Sequence, residues 1–212
     1  MSNYTLCKEL VRLYKAAKEE RQRIAILHAL ARLDVWGTIP IQQALDDECP
    51  AVRAEAARLL GGIYDWRPSY SLLQMLQQDE APVCRAAAAE TLGKLYAPFV
   101  PEDPPMGYDN QWTRYFRKEV PTQLVYALLN DESYRVRAAA ARALGYLGDK
   151  ENAWYLCQAL KDEDYEVRAS AAEALGALKV FPYIGEVSRL MHDPHPKVRH
   201  AAEKAVQMLE SY

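Results

Sequence analysis

The feature that most restricts the fold is a ten-residue pattern, Val-Arg-x-x-Ala-Ala-x-x-Leu-Gly, that returns along the chain at a nearly constant interval. Taking its first residue as position zero, copies start at Val52, Cys84, Val136, Val167 and Val198, with a degenerate copy at Gln22. The intervals are 30, 32, 52, 31 and 31 residues, so the long one is a 31-residue period with 21 residues added. Such a period marks a repeat architecture, in which each unit buries its apolar face against its neighbours.

The columns say what each unit is. Position one is arginine in every copy: Arg23, Arg53, Arg85, Arg137, Arg168 and Arg199. Position four holds Ile26, Ala56, Ala88, Ala140, Ala171 and Ala202, and position eight holds Leu30, Leu60, Leu92, Leu144, Leu175 and Val206. Gly61, Gly93, Gly145 and Gly176 follow, replaced in the end copies by Ala31 and Gln207. Five residues before position zero stands Asp47, Asp79, Asp131, Asp162 or Asp193, which the first copy lacks.

Apolar residues at zero, four and eight share one face of a helix. Alanine there lets a neighbouring helix come close, and leucine fills the remaining space. Pro50, Pro82 and Pro196 suit the first turn of that helix. The glycine near its end either brings backbones together or helps to end the helix. A second amphipathic stretch precedes each aspartate, at residues 70–78, 124–130, 153–161 and 184–192. Each unit is therefore helix A, a turn through the aspartate, and helix B. The expected fold is all-α, an α-solenoid of about six stacked helix pairs. It forms one repeat domain over residues 1–212, interrupted by an insert at residues 97–117.

This unit resembles the short HEAT-like repeat named after the phycobilisome lyases, with its Asp…Val-Arg-x-x-Ala-Ala-x-Ala-Leu-Gly signature, and the resemblance covers nearly the whole chain. It implies that helices B line a concave side. Repeats of this kind occur in interaction scaffolds, in phycobilin lyase subunits and in phycobilisome-disassembly factors.

With 26 basic and 29 acidic residues, net charge −3, the chain offers no general electrostatic attraction for phosphates, and nucleic acid is not an expected partner. Cys7, Cys49, Cys84 and Cys157 are far apart and form no CxxC pair, which suits a reducing, cytoplasmic setting. The first residues carry no apolar leader core, and no stretch reaches the length of a membrane span.

Candidate recognition residues concentrate in the insert. Pro98, Pro101, Pro104 and Pro105 oppose a helix through its first half. Its second half gathers Tyr108, Trp112, Arg114, Tyr115, Phe116 and Arg117, next to Lys118. Aromatic rings with arginine are what interface hot spots favour, and they also suit a conjugated ligand bearing carboxylates. The competing reading is a plug over an irregular repeat step. Trp36, Trp66 and Phe181 each stand fourteen residues after a position zero, which places them in inter-repeat loops. There they either join the insert in an aromatic edge or staple consecutive repeats.

Ala54, Ala86, Ala87, Ala138, Ala139, Ala169, Ser170 and Ala201, two or three positions after zero, are expected off the main core stripe. They either floor a shallow groove or pack helix against helix. The arginine column is either a basic stripe or a ladder meeting the turn aspartates. His192, His195 and His200 are close in sequence but do not read as a metal site, and no His-Glu dipeptide of the kind used by iron-binding HEAT-repeat hydroxylases is present. No phosphate loop, GxSxG elbow or HExxH run appears, so no catalytic residue is assigned.

The function expected is a non-enzymatic scaffold or adaptor that binds a protein partner without a cofactor. The alternative implied by the resemblance is a phycobilin lyase subunit or a phycobilisome assembly or disassembly factor. It would bind a linear tetrapyrrole and a phycobiliprotein, with a second solenoid subunit as a further partner.

Overall fold

The computed structural model describes residues 2–33, 35–63, 65–97 and 111–210. Among them are twelve α-helices and no strand. In chain order the helices are α1 (Asn3–Ala16), α2 (Glu20–Ala31), α3 (Val35–Gln43), α4 (Pro50–Leu60), α5 (Ser69–Gln78) and α6 (Pro82–Leu95). They continue with α7 (Gln111–Asn130), α8 (Tyr134–Leu147), α9 (Ala153–Ala159), α10 (Tyr165–Leu178), α11 (Ile184–Arg189) and α12 (Pro196–Glu210). Odd-numbered helices are helix A of a pair and even-numbered ones helix B, which makes an α-solenoid of HEAT-like pairs.

The chain divides into two units, Met1–Leu95 and Tyr96–Tyr212, each with three pairs. In the first unit α4 packs on its own helix A, α3, and on α2 and α6. In the second, α10 packs likewise on α9, α8 and α12. Positions zero, four and eight form the core as their spacing requires: Val52, Ala56 and Leu60 are fully buried, as are Val136, Ala140 and Leu144, and Val167, Ala171 and Leu175.

The small residues after position zero are not a groove. Ala54, Ala87, Ala138, Ala139, Ala169, Ser170 and Ala201 are buried, and Ala86 is half-buried. A helix B touched from three sides has little circumference left for a partner, so here alanine sets the packing distance between successive helices. The glycine column works to the same end. A Cβ on Gly145 would stand 3.0 Å from the Ala174 Cβ, and one on Gly176 would stand 2.8 Å from the Ala205 Cα. Both glycines lie inside their helices, so close approach rather than termination explains them.

The arginine column is a ladder. Arg53 grips Asp79 of the next pair through Nε and Nη2 at 2.8 and 2.8 Å, Arg137 grips Asp162 at 2.8 and 2.9 Å, and Arg168 grips Asp193 at 2.7 and 3.0 Å. The remaining Nη1 donates back to carbonyls of the arginine's own turn, as from Arg168 to Asp162 at 2.9 Å and Glu163 at 3.0 Å. Each aspartate also caps its turn, as when Asp193 Oδ1 accepts from the His195 N–H at 2.8 Å. One side chain thus ties two turns together, and bidentate geometry sets the register between pairs. The first rung is looser: Arg23 Nη2 lies 3.6 Å from Asp47, while its Nη1 meets Glu48 at 2.9 Å.

Candidate functional site

From Gln111 onward the insert is helical. Residues 111–117 are the first two turns of α7, so the fourth helix A extends backwards once the proline run has ended. Tyr108 lies outside the described residues, as does the side chain of Trp112. Of the remaining candidates, Arg114, Tyr115 and Arg117 are exposed, Tyr115 at 53 %. Phe116 is 3 % exposed. It leads a stripe of buried residues, Phe116, Val120, Leu124 and Leu128, at four-residue spacing. Phe116 is therefore a core residue of the second unit rather than a contact surface, and that spacing was its signal in the sequence.

Trp36 stands in the first turn of α3 rather than in a loop, 49 % exposed, with its ring edge-to-face on Tyr4 of α1 at 5.6 Å. Its carbonyl accepts a hydrogen bond from Cys7 Sγ at 3.3 Å. These contacts staple the first pair to the second. Gly37 follows because the turn lies against the end of α2: a Cβ there would collide with the Leu30 carbonyl. Trp66 is half-buried in the bend before α5, and Phe181 is exposed in the turn before α11. Trp36 and Trp66 belong to the first unit; Tyr115, Arg117 and Phe181 belong to the second.

Helices A of the second unit present further aromatic surface that periodicity had not singled out. Tyr126 on α7 is 66 % exposed and Trp154 on α9 is 55 % exposed, with Trp154 edge-to-face on Tyr155 at 5.1 Å. Tyr126 falls off the buried α7 stripe, so an aromatic at a solvent position was the available clue.

Between α7 and α9 lies a cleft of about 370 Å³. Its α7 wall is made by Arg117, Lys118, Pro121, Thr122 and Val125, and the other wall by Asp149, Glu151, Asn152 and Tyr155. Pro121 has no N–H, so the Arg117 carbonyl lacks its helical donor. The Thr122 hydroxyl donates to the Lys118 carbonyl at 3.0 Å, and Asp149 Oδ1 accepts from the Glu151 N–H at 2.9 Å. Asn152 is buried, and its Nδ2 has no hydrogen-bond partner. Two cations thus face two carboxylates across a gap that no ion pair among the described residues closes.

The histidines do not converge. His195 lies ring-on-ring over Tyr165 at 3.7 Å, and His200 stands 4.0 Å from Glu203. Among the described residues no group of three or more His, Cys, Asp or Glu could hold a metal ion, and no helix is long and apolar enough to cross a membrane. All four cysteines are free thiols. Burial pushes the Cys84 thiol up to about 11.

The model of the HEAT-repeat family matches residues 37–103 and 121–207. Among solved structures, an engineered protein is 19 % identical with a TM-score of 0.64, over 100 % of this chain and 98 % of that one. The complex of CpcE and CpcF of phycocyanin lyase from Nostoc sp. PCC7120 is 22 % identical with a TM-score of 0.65, over 80 % of this chain and 98 % of that one. YibA of Escherichia coli is 20 % identical with a TM-score of 0.69, over 98 % and 76 %. At these identities the likeness is one of fold. A search of curated proteins returns no match.

Proposed function

This chain belongs to the HEAT-repeat family, and from that premise we propose that it is a non-enzymatic scaffold whose second unit docks a protein partner on its helix A face. The observation that supports this reading most is the exposure of Tyr115, Tyr126 and Trp154 on α7 and α9, the helices that wall a cleft whose cations Arg117 and Lys118 form no ion pair among the described residues. Large rings left in water on the same helices that carry arginine are the usual material of interface hot spots. The interior helices B, such as α4 and α10, are spent on internal packing, so along the array helices A are the surface left for recognition. The cytosol, where free thiols persist, is the setting that goes with this proposal.

Affinity purification of the tagged chain from its own host, with quantification of co-purifying protein, tests the reading. A stoichiometric partner retained by the wild type and lost by Tyr126→Ala with Trp154→Ala is the expected result. Full retention by the double variant, with an unchanged melting curve, would remove this face from consideration.

The second reading, a phycobilin lyase subunit or phycobilisome factor, rests on the repeat resemblance and on the shared fold of the CpcE and CpcF complex. Under it, Tyr115 and Arg117 would lie against a linear tetrapyrrole. Mixing the protein with a bilin separates the readings: a displaced, intensified absorption band favours the tetrapyrrole, and an unaltered bilin spectrum leaves the scaffold.

A further inference from the structure

Every complete rung of the ladder follows one plan. The arginine Nη1 is anchored on two carbonyls of its own turn, which aims the Nε–Nη2 edge at the next turn, where an aspartate accepts from both. Arg199, the last arginine of the column, is anchored in the same way. Its Nη1 donates to the Asp193 carbonyl at 2.8 Å and to the Pro194 carbonyl at 3.0 Å. Those lengths match the Arg168 anchor, at 2.9 and 3.0 Å. Beyond Arg199 no further pair follows among the described residues, and its Nε–Nη2 edge has no acceptor there.

The face around Arg199 differs from the interior steps. In the four copies that start at Val52, Cys84, Val136 and Val167, positions two, five and nine of helix B hold small residues, as Ala138, Ala141 and Gly145 do in α8; in α12 they are His200, Glu203 and Gln207. That face is polar and exposed, so a further helix B would not stack on it. What persists is the oriented fork alone, half-buried, with Lys197 and His200 on the same first turns of α12. The internal rungs show which group such a fork takes in this fold: a carboxylate held in a turn by its own N–H at the second residue on.

We propose that Arg199 is a docking point for an aspartate-bearing turn of a partner protein, gripped through Nε and Nη2 as Asp162 is gripped by Arg137. Charge and geometry both select the occupant. A carboxylate presents two acceptors at the spacing of the fork, whereas a neutral amide presents one acceptor and a repelling donor. Most ladder aspartates of a second copy are engaged within that copy, so a different protein is the better source.

The test uses the full chain labelled with ¹⁵N, reading the arginine Nε–H signals, with Arg199→Lys to assign the one from Arg199. The probe is a blocked hexapeptide of residues 160–165, Leu-Lys-Asp-Glu-Asp-Tyr, which contains the turn that fills the Arg137 fork. A saturable shift at Arg199 with Arg168 unmoved is expected. The peptide carrying Asp162→Asn should bind about tenfold more weakly. No shift at Arg199 with peptide on the order of 10 mM, or equal binding of the asparagine peptide, would overturn the proposal. So would a shift that depends on protein concentration without peptide, which would make a second copy the occupant.

Discussion

Arg168 on α10 and Asp193 at the start of the last pair are joined by two hydrogen bonds of 2.7 and 3.0 Å, with side chains only 14 % and 5 % exposed. The pair links two turns 25 residues apart, and the same link recurs one period earlier between Arg137 and Asp162. A buried pair of this kind sets register more than it adds stability, but removing one partner strands the other charge.

Asp193→Asn should therefore lower unfolding free energy by about 3–5 kcal/mol, because the asparagine can still cap the His195 N–H but leaves Arg168 uncompensated. Arg12→Ala is the control. Its bond to Glu9 joins side chains 77 % and 52 % exposed and should count for about 0.5 kcal/mol or less. Urea melts of the two variants check the contrast; equal effects would mean that the ladder is decorative.

The same pair predicts an acid response. The Arg168 guanidinium holds the Asp193 carboxyl below the ordinary carboxylate range, against the opposing effect of burial. A carboxyl depressed in the folded state stabilises the fold at pH values above its unfolded value, about 3.9, and that contribution is lost as pH falls through the lower folded value. The wild type should thus lose stability below about pH 4 more steeply than Asp193→Asn, with the two curves converging in acid. Parallel curves would place the acid sensitivity elsewhere.

Gly176→Ala and Gly145→Ala should differ although both sit at position nine. Alanine gains about 1 kcal/mol of helix propensity over glycine at either site. At Gly176 the new Cβ would press on the Ala205 Cα at 2.8 Å, where backbone must move, and overpacking of about 1–3 kcal/mol wins. At Gly145 the contacts are 3.0 and 3.1 Å, so strain and propensity nearly cancel. Thermal melts should rank Gly176→Ala clearly below wild type and Gly145→Ala near it.

How much of this was legible in the sequence depends on whether a residue repeats. Val136, Ala140 and Leu144 were placed in the core by their columns, and the aspartates in step with the arginines announced the ladder. Ala138 and Ala139 stay undecided in the sequence between groove floor and helix packing, because a one-face period cannot reveal that helix B is contacted on three sides. Phe116 belongs to no repeat column and follows a proline run, so only its place four residues before Val120 marks it as core. The cleft was invisible for a different reason: Arg117 and Asp149 share no motif, and only the stacking of α7 beside α9 brings their walls together.

The thiols should divide sharply. Cys84 is fully buried, donates to the Pro50 carbonyl at 3.2 Å and is pushed up to about 11 by burial, which leaves almost no thiolate at neutral pH. Cys7 and Cys157 are also buried, and burial raises Cys157 as well; Cys49 is half-buried. A disulfide reagent should modify Cys49 fast and the other three only after denaturation. Rapid reaction of Cys84 in the native protein would mean that the first unit opens readily.

The last prediction separates core from surface within one short region of the second unit. Phe116→Ala removes a ring that is 3 % exposed and should cost about 3–5 kcal/mol, lowering the melting temperature by many degrees whatever the protein binds. Trp154→Ala and Tyr126→Ala remove rings that are more than half exposed, so little packing is lost and the melting temperature should change little. If these rings anchor a partner, each truncation should instead weaken binding by about 2 kcal/mol, roughly thirtyfold, seen as faster dissociation of the purified complex. The proposed docking face therefore requires two opposite patterns: Phe116→Ala unstable, and Trp154→Ala and Tyr126→Ala stable but poor in binding. A destabilised Trp154→Ala protein with full binding would turn that aromatic surface into a staple between helices A and move recognition to another face.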